Sequence, residues 1–270
     1  YPYITWIGEE VDEAYYQEVM AIEINPGMDK KDFKIVFSPQ HGTSNLPVRN
    51  CLSRLGYNVI PVLAQCAPDP DFSNTKSPNP EVDCSYDLAI KKAKEVDADV
   101  VVICDPDGDR LGVVAKHNGE YVLMSGNQSA AVYLEYILSQ MKEKGTLPDN
   151  AVMYNTIVTS DLGELVARSY GVDVEKTLTG FKFIGDKIRK YEKTKEKEFI
   201  FGYEESYGCV VKDFVRDKDA VQAVVMAAEA GNFYKHQGKD LIDVLNELYA
   251  KHGTFKESQI ALSKAGAEGA

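Results

Sequence analysis

Three carboxylates stand at alternate positions in residues 105–110, which read Asp-Pro-Asp-Gly-Asp-Arg. They directly follow residues 100–104, a continuous apolar run that is typical of a strand covered on both faces. Side chains at alternate positions of a curled loop can face one point, and carboxylate oxygens are ligands that suit Mg²⁺. The spacing therefore favours a Mg²⁺ site formed by Asp105, Asp107 and Asp109. The alternative is a solvated acidic turn, in which three unshielded carboxylates would repel one another.

Two other uses of such an acidic loop can be compared with the sequence. An EF-hand that begins at Asp105 requires Gly at its sixth position and Glu at its twelfth, where this chain has Arg110 and Lys116, so an EF-hand is excluded. Aspartyl-nucleophile phosphatases also carry Asp-x-Asp after a strand, but they have Thr or Val at the position of Asp109. That alternative fits the residues less well and stays open.

Three further segments combine polar side chains with turn residues. Residues 202–208 (Gly-Tyr-Glu-Glu-Ser-Tyr-Gly) suit the binding of vicinal sugar hydroxyls, although an exposed Glu-Glu pair is also typical of a solvated turn. Residues 179–183 (Thr-Gly-Phe-Lys-Phe) begin a helix, and their phenylalanines are alternatively core residues. Residues 216–219 (Arg-Asp-Lys-Asp) form a charged helix N-terminus, which Asp217 is expected to cap. His41, which lies in a turn, is interpreted as structural.

The order of predicted elements indicates an α/β protein. The first series runs through helix 9–22, strand 33–37, helix 45–55, strand 57–62, helix 86–96, strand 99–104, a hairpin of 111–115 and 121–124 around Asn118-Gly119, and helix 127–144. The second runs through strand 151–154, helix 161–170, strand 172–177, helix 181–192, strand 199–202 and helix 219–234. Residues 64–83, rich in proline, are predicted to form a long functional loop.

The pattern of strands and helices restarts after residues 145–150, where turn residues cluster. We therefore predict two tandem α/β domains, residues 1–148 and 149–270, each a mixed, mainly parallel sheet flanked by helices. The chain starts without Met and ends in small and charged residues, so both ends are expected to be cuts in a longer protein.

Composition restricts the class of partner. With 44% hydrophobic and 27% charged residues the chain has the balance of a soluble globular protein, and its net charge of −12 disfavours nucleic acid and anionic membranes as partners. The five cysteines form no Cys-x-x-Cys pair, so neither a disulfide framework nor a zinc site is predicted. Apolar runs are too short to span a bilayer. We expect a cytoplasmic protein with reduced thiols.

The acidic loop resembles the metal-binding Asp-Gly-Asp-Gly-Asp-Arg motif of the phosphohexose mutases, the phosphoglucomutase/phosphomannomutase superfamily. Pro106 stands where that motif often has Gly. The resemblance implies that Asp105, Asp107 and Asp109 bind Mg²⁺ and that Arg110 lies close to the transferring phosphoryl group. A phosphoserine outside this chain would supply a further oxygen ligand.

Other segments resemble the same family, in the family's order. Residues 202–208 resemble its sugar-binding Gly-Glu-x-Ser loop with Tyr203 inserted, which implies that Glu204 and Ser206 bind the sugar 3- and 4-hydroxyls. Residues 38–43 and 78–81 resemble its Thr-Pro-Leu-His-Gly and Pro-Asn-Pro-Glu segments.

Two helix starts extend the resemblance. Residues 179–183 resemble the family's Thr-Gly-Trp-Lys-Phe loop, which implies that Gly180 and Phe181 help to define the sugar pocket. Residues 216–219 resemble its Arg-Glu-Lys-Asp segment, which places Lys218 near the sugar in a catalytic role.

The resemblance implies a specific but incomplete enzyme. This chain corresponds to the second and third domains of the family, and the serine nucleophile loop and the terminal phosphate loop belong to the missing first and fourth domains. The whole enzyme would interconvert hexose 1-phosphate and hexose 6-phosphate through a phosphoserine, with glucose 1,6-bisphosphate as activator and intermediate. The fragment alone is expected to be inactive. The alternative is a non-catalytic module that binds Mg²⁺ and a sugar phosphate.

Overall fold

Residues 2–258, which the computed structural model describes, form an α/β fold with two mixed sheets. The strands are β1 Lys34–Ser38, β2 Asn58–Pro61, β3 Val100–Cys104, β4 Leu111–His117, β5 Glu120–Met124, β6 Ala151–Thr156, β7 Asp173–Thr177, β8 Glu198–Tyr203 and β9 Cys209–Val210. The helices are α1 Glu9–Met20, α2 Asn45–Leu55, α3 Asp87–Val96, α4 Gly126–Glu143, α5 Leu162–Ser169, α6 Phe181–Thr194, α7 Ala220–His236 and α8 Leu241–His252, with 3₁₀ turns at Leu63–Gln65 and Asp83–Tyr86.

The first sheet has the strand order β2-β1-β3-β4-β5. Strand β1 pairs in parallel with β2 and β3, whereas β3–β4 and β4–β5 are antiparallel. The predicted mixed sheet is therefore confirmed, although parallel pairing does not predominate here. Asn118 and Gly119 link β4 to β5 with φ of 50° and 83°, the positive angles that a type I′ turn requires.

Strand β3 is buried at every position, as its apolar sequence predicts. Val100, Val102 and Cys104 pack into the larger hydrophobic core. Val101 and Ile103 point to the other face, where they pack with residues of α3. Helices thus cover both faces of the strand that leads into the acidic loop.

The second sheet has the strand order β7-β6-β8-β9, with β6 parallel to both β7 and β8 and with β8 antiparallel to β9. Its mixed, mainly parallel arrangement is confirmed. Strand β9, which is two residues long, and helix α8 were not predicted. The apolar spacing of Leu241, Val244, Leu245 and Leu248 after the N-cap residue Asp240 is a signal that could have predicted α8.

Helix α7 joins the two sheets. It follows β9 of the second sheet, yet it packs against α1, α2, β3 and β4 on one face of the first sheet. Helix α4 packs against α5, α7 and α8. One hydrophobic core therefore runs through both halves of the chain. Within residues 2–258, no helix has both the length and the apolar character that crossing a membrane would require.

Candidate functional site

The acidic loop lies at the end of β3 and rests on a second loop, residues 38–43. The backbone N–H of Thr43 donates to the carbonyl of Pro106 over 2.9 Å. A Cβ on Gly42 would lie 2.4 Å from the Cα and carbonyl oxygen of Pro106, so only glycine permits this contact. Gly108 has φ of 76°, which makes the tight turn. The segment that contains His41 therefore supports the acidic loop through its backbone.

The three carboxylates converge as the sequence predicts. One oxygen from each of Asp105, Asp107 and Asp109 lies within 4.8 Å of the others. Asp105 is buried, and its Oδ1 accepts hydrogen bonds from the backbone N–H groups of Asp109 and Arg110 at 3.0 and 2.9 Å. Asp109 Oδ1 is buried and makes no hydrogen bond in the described part of the chain. Oxygens in this arrangement fit a divalent cation.

Repulsion within the loop also favours a cation. Burial, followed by the nearby charges of Asp109 and Asp107, raises the pKa of Asp105 to about 7, and the backbone N–H of Arg110 offsets part of this effect. A bound cation would relieve the repulsion and keep Asp105 ionised.

Arg110 lies beside the acidic loop. Its Nη1 is 2.6 Å from Glu81 Oε1, and its Nε is 3.7 Å from Asp105 Oδ2 and 3.6 Å from Asp109 Oδ1. Residues 78–81 resemble a segment of the family, but that resemblance implied no role for Glu81. In the structure, Glu81 holds the guanidinium group over the acidic loop.

Residues 204–208, the predicted sugar loop, turn back between β8 and β9. The backbone N–H of Glu204 donates to the carbonyl of Gly208 over 2.9 Å. Glu204 is 4% exposed, and its Oε1 accepts a hydrogen bond of 2.8 Å from the backbone N–H of Gly180. Ser206 lines a cleft of about 980 Å³. The backbone N–H of Leu111 donates to the carbonyl of Tyr207, which connects the sugar loop to the first sheet.

Lys218 lies between the two loops. Its Nζ is 2.7 Å from Asp109 Oδ2 and 4.0 Å from Glu204 Oε2. The next residue but one, Ala220, donates its backbone N–H to the carbonyl of Gly108 over 3.0 Å. The structure therefore brings the predicted metal loop, the sugar loop and Lys218 together.

Two predicted pocket residues have different positions. Gly180 immediately precedes α6 with φ of 117°, and its N–H contacts Glu204. Phe181 is 4% exposed, and its side chain packs in a core cluster with Ile184 and Ile188. The Phe181 side chain therefore lies in the core. Its part in the sugar pocket stays a prediction.

The residue that caps the N-terminus of α7 differs from the predicted one. The predicted cap, Asp217, lies before the helix and accepts a hydrogen bond from the N–H of Lys218. The cap is instead Asp219, which accepts from the N–H groups of Val221 and Gln222, because α7 begins at Ala220. Tyr15 donates its hydroxyl to Asp219 over 2.9 Å, a contact that sequence reasoning missed.

A second group of side chains in the described residues also has metal-ligand spacing. His117, Asp240 and Asp243 lie together at the end of β4 and the start of α8. The two aspartates form a capping box for α8, and His117 Nδ1 is 2.9 Å from Asp240 Oδ2. Hydrogen bonding at a helix N-terminus accounts for this group, so the acidic loop is the stronger candidate.

Two family models match the chain in sequence order. Domain II of phosphoglucomutase/phosphomannomutase, alpha/beta/alpha, matches residues 13–119, and domain III matches residues 125–252. This chain belongs to the phosphoglucomutase/phosphomannomutase family. The two matched segments are separated before α4, whereas the predicted boundary lies after α4. The boundary at residue 148 stays a prediction.

Curated relatives agree with this family assignment. A phosphoglucomutase of Staphylococcus epidermidis is 37% identical over 265 residues, which are 97% of this chain and 47% of the relative. A phosphomannomutase of Mycoplasmoides pirum is 35% identical over 263 residues, 96% of this chain and 47% of the relative. The chain thus spans about half the length of these two relatives.

A solved structure agrees with the fold. The crystal structure of a phosphoglucomutase/phosphomannomutase family protein from Burkholderia thailandensis matches with a TM-score of 0.68 at 21% identity. The match covers 88% of this chain and 46% of that one. At this identity the likeness shows the fold alone.

Proposed function

We propose that this chain forms the metal-binding and sugar-binding domains of a phosphohexose mutase, which interconverts hexose 1-phosphate and hexose 6-phosphate. The observation that supports this most is the meeting of two loops at one lysine. Lys218 Nζ lies 2.7 Å from Asp109 on the acidic loop and 4.0 Å from Glu204 on the sugar loop. Transfer of a phosphoryl group to or from a sugar requires metal binding and sugar binding at one place.

Asp105, Asp107 and Asp109 would hold Mg²⁺. When bound, the ion would offset negative charge on the moving phosphoryl group. The backbone N–H groups that fix Asp105 keep one of its oxygens oriented before binding. Arg110, held by Glu81 over 2.6 Å, would present a second positive charge to the phosphoryl group.

The sugar would bind at the loop that contains Glu204 and Ser206. Glu204 Oε1 accepts a hydrogen bond from the backbone N–H of Gly180, and Oε2 would accept hydrogen bonds from a sugar hydroxyl. Ser206 would contribute its hydroxyl from the wall of the cleft. Phe181 would support the pocket from the core below.

The complete reaction needs groups from outside this chain. Because the chain matches domains II and III and about half of each of the two curated relatives, we infer that the first and fourth domains supply the phosphoserine and the second phosphate site. Glucose 1,6-bisphosphate would be the intermediate, a sugar phosphate the substrate, and the cytoplasm the location. The fragment alone would lack the nucleophile and would be inactive.

A coupled assay tests this function. The full-length protein would be given glucose 1-phosphate, Mg²⁺ and catalytic glucose 1,6-bisphosphate, and glucose 6-phosphate would be followed with a dehydrogenase. We expect turnover that is lost in the Asp107→Ala variant, and no turnover by the 270-residue chain. Full-length protein that binds these ligands but shows no turnover with hexose or pentose phosphates would favour the non-catalytic module.

A further inference from the structure

The stem of the Lys218 side chain passes over Gly208. A Cβ on Gly208 would lie 2.2 Å from Lys218 Cδ, so the lysine stem runs directly over this glycine. The backbone after Lys218 is fixed, because Asp219 caps α7 and accepts a hydrogen bond from Tyr15. The terminal bonds of the lysine then decide which carboxylate its ammonium group faces.

Two carboxylates lie within reach of that ammonium group. Asp109 Oδ2 is 2.7 Å away and Glu204 Oε2 is 4.0 Å away. A movement of about 1 Å would bring Nζ within hydrogen-bonding distance of Glu204, since such bonds measure roughly 2.7–3.2 Å. Glu204 can receive it on Oε2, which faces Lys218, while Oε1 accepts the hydrogen bond from the backbone N–H of Gly180.

A divalent cation in the acidic loop would compete with Lys218 for Asp109. Asp109 Oδ1 is buried without a hydrogen bond in the described part of the chain and is open to the cation, whereas Oδ2 faces Lys218. Two positive charges on one carboxylate repel each other, so the cation would weaken the hold of Asp109 on Lys218. Lys218 is only 14% exposed at its side chain, so water screens the repulsion incompletely.

We propose that Lys218 is a movable counter-ion, which leaves Asp109 for Glu204 when a divalent cation enters the acidic loop. This inference rests on the proposed function, and it adds a coupling between the two loops. The cation would place an ammonium group beside the carboxylate that is to bind the sugar hydroxyls. Metal occupancy and sugar binding would then influence each other reciprocally, as linkage requires.

The substitution of Lys218 should change the Mg²⁺ affinity in a definite direction. A lysine that only stabilises the acidic loop would weaken Mg²⁺ binding when it is removed. A lysine that competes with the metal would do the opposite. We expect Lys218→Gln to raise the Mg²⁺ affinity of the 270-residue chain about tenfold, measured by isothermal titration calorimetry. Lys218→Met, which keeps the apolar stem, should act in the same direction.

A matched control separates competition from a general charge effect. Lys187→Gln removes the same charge and an ion pair of equal length, 2.7 Å to Glu175, from a different part of the surface. It should change the Mg²⁺ affinity less than twofold. Unfolding followed by circular dichroism would verify that each variant is folded.

A double-mutant cycle tests the movement to Glu204. Glu204→Gln removes the second partner of Lys218, so it should lower Mg²⁺ affinity several-fold when Lys218 is present. In the Lys218→Gln background the same change should lower it clearly less, because only the direct effect of the Glu204 charge remains.

The outcomes distinguish this inference from the proposed function. If the unaltered chain binds Mg²⁺ but Lys218→Gln and Lys218→Met bind it equally or more weakly, the competition is absent and this inference alone fails. Additive effects in the cycle would overturn the movement to Glu204. If the unaltered chain binds no Mg²⁺, both the inference and the metal assignment are wrong.

Discussion

The backbone N–H of Gly180 donates a hydrogen bond of 2.8 Å to Oε1 of Glu204, so the start of α6 fixes the carboxylate of the sugar loop. Gly180 has φ of 117°, a backbone conformation that residues other than glycine rarely adopt. The other oxygen of Glu204, Oε2, faces Lys218. The loop that resembles the family's Thr-Gly-Trp-Lys-Phe segment thus contacts the proposed sugar site through its backbone.

The first prediction concerns Glu204 in the full-length protein. Glu204→Ala should lower kcat/KM roughly ten- to a hundredfold, about 1.5–3 kcal/mol, because sugar hydroxyls would lose a charged acceptor in a closed site. Steady-state kinetics with glucose 1-phosphate would measure this loss. The control is Glu198→Ala, an exposed glutamate at the opposite end of β8, which should keep the original kinetics. Unchanged kinetics for Glu204→Ala would mean that another residue binds the sugar.

The second prediction tests the support under the acidic loop. Gly42→Ala should lower the free energy of unfolding by about 1–3 kcal/mol, because its Cβ would meet the backbone of Pro106 at 2.4 Å. The Tm should fall by several degrees in differential scanning fluorimetry. Gly27→Ala has open space around the new Cβ and should leave Tm nearly unchanged. Equal Tm values for the two variants would show that the loops separate easily.

These residues also show what could be predicted from the sequence. The alternate carboxylates and Asn118-Gly119 were predictable because turn geometry and ligand spacing are local properties. The contact between Tyr15 and Asp219 spans 204 residues and exists because α7 packs back on the first sheet, which no local pattern encodes. Residue type alone also could not decide whether Phe181 faces the pocket or the core.

The third prediction concerns pH and Glu229, which is fully buried in α7. Burial raises the pKa of Glu229 in the folded protein, and the backbone N–H of Asn25 offsets part of this effect. The folded state therefore holds the proton at pH values where the unfolded chain has released it, and this group lowers stability as pH rises above about 4.5.

Glu229→Gln removes this titration, so the Tm of the variant minus that of the unaltered chain should increase by a few degrees between pH 5 and pH 8. Thermal unfolding at several pH values would measure the difference. Glu10→Gln, at an exposed position in α1, should give a difference that does not change with pH. A difference for Glu229→Gln that decreases toward pH 8 would contradict the raised pKa.

The central claim is that the acidic loop at the end of β3 binds Mg²⁺, and calorimetric titration of Mg²⁺ into the 270-residue chain tests it most directly. We predict saturable heat for one ion and at least a tenfold loss of affinity in Asp107→Ala. Asp149 is exposed and precedes β6 at the other end of the second sheet, so Asp149→Ala should leave binding unchanged. Identical titrations for Asp107→Ala and the unaltered chain would contradict the metal site.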